Sequence, residues 1–108
     1  MEAYRHLIKH ALREGFPMSV FSGGDEPDLS RSSSFGAVMT AVESVGECDL
    51  VIHGHDGKRM ASVLIVPDLA DDETVADWSA ASDAANSWLE VWAEDYADHQ
   101  NRVTRLMY

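Results

Sequence analysis

The chain is short of cations. Eight Lys and Arg stand against nineteen Asp and Glu in 108 residues, giving a formal charge of −11. Such a chain repels phosphate backbones and anionic lipid, which excludes direct binding to nucleic acid or to a membrane surface as function classes. It has one cysteine, Cys48, so an internal disulfide framework is excluded and a reducing, cytoplasmic setting is expected. No apolar run approaches the roughly 18 residues of a spanning helix, and the leading MEAYRHLIKH has no apolar signal segment. Ser22-Gly23-Gly24 lacks the spacing and the Lys-Ser/Thr of a phosphate-binding loop, and Ser32 to Ser34 lack a nucleophile-elbow context.

What is present fits one domain over residues 1–108, since 45% hydrophobic residues suffice for a core of two or three layers. Residues 2–14 read as an amphipathic helix, with Tyr4, Leu7, Ile8, Ala11 and Leu12 at spacings of three and four and Gly15 as its stop. Phe16 to Phe21 is a short strand entered through Pro17, and after the turn SGGDEPD the residues 29–32 return as a weak second strand. Ser33 or Ser34 caps a second helix over residues 35–45, closed by Gly46. Leu50 to Ile52 and Met60 to Val66 bracket Asp56-Gly57, a strong hairpin signal. Residues 68–79 are loop or a short edge strand, with Thr74, Val75 and Trp78 available to pack back on the sheet. Ser79 or Ser82 then caps a final helix over about 80–105, with Ala85, Trp88, Leu89, Trp92, Tyr96 and Val103 as its apolar stripe, Arg102 and Arg105 suited to its C-terminal dipole, and the last residues fraying.

The order helix, glycine, strand, turn, strand occurs twice, over residues 2–32 and 33–66, with Leu7/Val38, Ile8/Met39, Ala11/Val42 and Gly15/Gly46 in matching places. The expected architecture is α+β, an αββαββα plan in which an antiparallel sheet of three to five strands packs against helices and a Trp-bearing acidic helix closes the chain.

No constellation specifies a reaction. His53-x-His55 with Asp56 offers two imidazoles and a carboxylate, but a hairpin tip with two histidines is not a metal site unless His6, His10 or His99 joins it. Cys48 lies between Glu47 and Asp49, which suppress its thiolate. No catalytic residue, metal or cofactor is therefore expected, and the chain reads as a non-enzyme.

The densest signal is acidic. Residues 68–98 hold ten carboxylates and all three tryptophans without one Lys or Arg. On the final helix Glu90, Glu94 and Asp98 stand at i, i+4, i+8 with Asp95 alongside, a spacing at which like charges destabilise a helix by roughly 0.2 to 0.5 kcal/mol per pair. Such a row is suited to a basic protein, including one that otherwise grips nucleic acid, in the manner of a DNA mimic or anti-defence protein. Trp78, in an acidic loop by this reading, is the aromatic contact residue. The competing expectation is a structural or assembly protein that forms a homodimer through Trp78 and the sheet, its acidity serving solubility alone. The concentrated cations are Arg5, Lys9 and Arg13 beside His6 and His10 on the first helix. They form a solvated face, a binding site, or a contact for the acidic stretch within the fold or across a dimer.

The run ESVGECDLVIHGHDGKRMASVLIVPDLADDETVADWS followed by SWLEVWAEDY resembles a family of short tailed-phage and prophage proteins. The likeness covers residues 20–92 and rests on Glu43-Ser44-Val45, Leu50 and Ile52 before Asp56-Gly57-Lys58-Arg59, then Asp72-Glu73-Thr74-Val75-Ala76-Asp77-Trp78 and Trp88. The first turn, FSGGDEP, departs from that pattern. The resemblance implies a phage or mobile-element setting and carries over no catalytic residue.

Overall fold

The computed structural model describes the backbone of residues 1–107 and the side chains of residues 1–101. Element order is α1 (Ala3–Arg13), β1 (Met18–Phe21), β2 (Leu29–Ser32), α2 (Phe35–Val45), β3 (Cys48–His53), β4 (Arg59–Ile65), a 3-10 turn (Asp71–Glu73), β5 (Val75–Ala80) and α3 (Asp83–Met107). The architecture is α+β, with the five strands in one antiparallel sheet of order β2-β1-β3-β4-β5. The segment left as loop or edge strand is both: a turn and then β5 at the sheet edge, which extends the plan to αββαβββα. Acids at Asp71, Asp72, Glu73 and Asp77 obscure the strand, but Trp78 and Ala80 pair opposite Val63 and Ala61 and pack on the core.

Local chemistry sets the boundaries. After α1, the Gly15 N–H bonds the Leu12 carbonyl and the Phe16 N–H bonds the Ala11 carbonyl, a Schellman closure. It needs the left-handed backbone that Gly15 adopts at φ 83°. Ser34 caps α2 by accepting the Ala37 N–H at 3.2 Å, and Ser82 caps α3 by accepting the Ala85 N–H at 3.1 Å. The final helix thus begins at Asp83 rather than residue 80. The side chains of Arg102, Val103 and Arg105, given roles from sequence, and the expected fraying lie outside the described residues.

Alternation along the strands splits the sheet into two faces. Met18, Val20, Leu50, Ile52, Val63 and Ile65 are fully buried with Leu7 and Ile8 of α1, Val38 and Val42 of α2, and Leu89 of α3. Each such side chain contributes about 1.5 to 3 kcal/mol of burial. On the opposite face, Phe21, Val51, Ser62 and Leu64 are half-buried and Asp49 and Asp77 exposed. The matched pairs of the apparent repeat occupy corresponding places: Leu7, Ile8, Ala11, Val38, Met39 and Val42 are all buried, and Gly15 and Gly46 both have positive φ.

Candidate functional site

One side of α3 is committed to the core through Ala85, Leu89, Trp92 and Tyr96. By helical periodicity the carboxylates must then face away, and Glu90, Glu94, Asp95 and Asp98 are all exposed. Val91 lies among them at 62% exposure, the most exposed large hydrophobic residue described. No Lys or Arg occurs between Arg59 and Arg102, so the face is acidic around one apolar contact point.

The predicted residues are not equivalent. Asn86 Nδ2 donates to Glu90 Oε1 at 3.0 Å, four residues on, while its Oδ1 accepts the Trp78 indole N–H at 3.0 Å. A relay thus runs from β5 into the acidic row and fixes Glu90. Asp95 turns toward α1 and lines a cleft with His6 and His10. Glu94 and Asp98 keep to the outward side.

Trp78 is not in an acidic loop, as the sequence reading has it. It is half-buried in β5 on the helix side of the sheet, and its polar edge is taken by Asn86. Its exposed part lines a hollow of about 370 Å³ with Val75, Trp92 and Tyr96. The strand's acids disguise it, and Val75 and Trp78 share the helix side only because the register shifts between Leu64 and Ile65, which simple alternation does not encode.

The histidine pair of the β3–β4 hairpin is drawn apart. His53, almost wholly buried, meets Ser19, with Nε2 to Oγ 2.8 Å, and the Arg31 N–H donates to the same Oγ at 2.9 Å. His55 Nε2 instead bonds the Glu14 carbonyl at 2.8 Å, and Asp56 accepts the Lys58 N–H. Among the described residues no group of three or more His, Cys, Asp or Glu is arranged to hold a metal. Sequence reasoning missed Ser19 and His53 as a pair because β1 and β3 are joined only by sheet topology. Ser19 is 3% exposed, which withholds it from a substrate. Burial, and then the Arg31 charge, holds the His53 pKa below 6.5.

Cys48 is buried, and its thiol pKa is pushed up to about 11, first by burial and then by Asp49 and Asp28. Asp28 thus takes the part the sequence reading gave to Glu47. No helix among the described residues is long and apolar enough to cross a membrane. No family model, curated protein or solved structure gives a significant match to the chain.

Proposed function

We propose that the chain is a non-enzymatic accessory protein of the phage or prophage type, acting in the cytoplasm, whose outward α3 face binds a basic protein. A nucleic-acid-binding protein is the favoured class of partner, which makes the chain a DNA mimic or anti-defence protein. The observation that carries this reading is the exposure of Glu90, Glu94, Asp95 and Asp98 around Val91 on a helix face with no Lys or Arg among the described residues. At about 1.5 Å rise per residue the carboxylates recur about every 6 Å, close to twice the ~3.4 Å axial phosphate spacing of a DNA strand. A cationic surface built for phosphates can engage such a row, and Val91 adds an apolar contact that phosphates lack.

The test is capture of host and phage proteins on the immobilised chain at low and moderate salt, with a variant carrying Glu90→Lys, Glu94→Lys and Asp98→Lys. A basic partner retained at low salt, released by moderate salt and lost with the variant supports the reading. Unchanged capture by the variant sinks it. The second reading, a homodimer with acidity for solubility, draws on Phe21, Val51 and Leu64, half-buried on the helix-free side of the sheet. A salt-resistant dimer with no captured protein would favour it.

A further inference from the structure

Of Glu90, Glu94, Asp95 and Asp98 on α3, only Asp95 shares a cleft with Lys9 and Arg13 of the cationic row on α1. Lys9 and Arg13 are exposed, and neither forms an ion pair with a described residue in a chain with nineteen carboxylates. They open instead onto a cleft of about 340 Å³ between α1 and α3, shared with His6, His10, Asp95 and His99. A cleft of this size sits at the small end of ligand sites.

The rings around it are held in place. Trp92 Nε1–H donates to His6 Nδ1 at 2.9 Å. Indole can only donate, so Nδ1 carries no proton and neutral His6 has its N–H at Nε2, where no described residue accepts it. His10 lies against Trp88, with ring centroids 5.0 Å apart, and His99 is 5.5 Å from His6. The Lys9 ammonium rests 5.5 Å over the Phe35 ring. Three imidazoles and the Arg13 guanidinium are thus grouped, with Lys9 at the margin and its ammonium over Phe35, beside one carboxylate among the described residues, Asp95.

We propose that this cleft binds the phosphate group of a small phosphorylated compound, or free phosphate. Lys9 and Arg13 supply fixed charge and His6 supplies a neutral N–H, with His10 and His99 lining the same cleft. The acids on the outward side of α3 oppose entry weakly, because physiological salt screens exposed charges beyond about 8 Å. Asp95, at the rim, opposes it most.

The test is calorimetric titration of the full chain with inorganic phosphate and with glycerol phosphate, against sodium chloride of equal ionic strength. Heteronuclear NMR on the same samples locates the response. Saturable binding is expected, with shifts at His6, His10 and His99. It should weaken at least about tenfold in Lys9→Gln/Arg13→Gln and tighten severalfold in Asp95→Asn. Tighter binding of the ester than of free phosphate would assign the rest of the cleft to its organic part; equal affinity would make phosphate itself the ligand. No saturable response up to about 10 mM, a response equalled by chloride, or affinity unchanged in the double variant would overturn the proposal. All three substituted side chains are exposed, so the variants retain the fold. Failure here leaves the α3 face untouched, since Lys9 and Arg13 take no part in it.

Discussion

Thr74 Oγ1 accepts the Tyr4 backbone N–H at 3.2 Å and donates to the Asp71 carbonyl at 3.1 Å, so a side chain seventy residues away caps the first helix. Glu2, at the N-cap position, makes no side-chain cap. Thr74 is fully buried, and both its hydroxyl functions are used. Thr74→Val keeps the shape and leaves the Tyr4 N–H without an acceptor, while the Asp71 carbonyl loses one of two donors and keeps the Tyr96 hydroxyl at 3.3 Å. A loss of about 1 to 3 kcal/mol is expected, measured as a lower urea midpoint with unchanged m-value.

His6 and His53 give the fold a pH limit. The pKa of each is held below 6.5, His6 first by burial and then by His99, His53 by burial and then by Arg31. The folded state therefore prefers neutral rings, and the unfolded chain binds more protons in the window beneath 6.5. This contribution is complete above that pH and is lost as the pH falls through the two depressed values. Urea midpoints at pH 7.5, 6.5 and 5.5 should decline in that order. His6→Gln, which retains an acceptor for Trp92, should flatten part of the decline.

Glu94 separates stability from binding. It stands four residues from both Glu90 and Asp98, so Glu94→Lys turns two repulsions into attractions and should stabilise the chain by roughly 0.8 to 2 kcal/mol. Partner capture should fall in the same variant. A Glu94→Lys chain that loses both stability and binding would point to a structural role instead.

Cys48 should resist modification. With its thiol near 11 rather than 9.0, about a hundredfold less thiolate exists at a given pH, before burial restricts access. A chromogenic disulfide at pH 8 should react slowly with the folded chain and rapidly in denaturant. Fast reaction with the folded protein would place the thiol outside the core.

The elements readable from sequence were those whose local chemistry agreed with their tertiary setting. The α1 stripe ended by Gly15, the Asp56-Gly57 hairpin and the Ser34 cap each carry their signal within a few residues. β5 was half-readable, because its outward positions are acidic and its turn is held by Thr74 reaching α1. For the acidic row, exposure followed from the Trp92 and Tyr96 stripe, but the tie from Trp78 through Asn86 to Glu90 did not. The Ser19–His53 contact and the α1–α3 cleft depend on which strands and helices become neighbours, and no short spacing encodes that.

The order β2-β1-β3-β4-β5 leaves two free strand margins. Exposed margins recruit other strands unless they are short, bent or charged. β2 has four residues and is bent at Arg31, whose φ is 46° and whose guanidinium donates to the Gly57 carbonyl at 2.7 Å. β5 bears Asp77 and has an irregular register opposite Leu64 and Ile65. Both margins thus discourage backbone zippering between molecules, and crowding should not drive the chain into fibrils. Encounters are left to side chains, where charge can decide which neighbours stay.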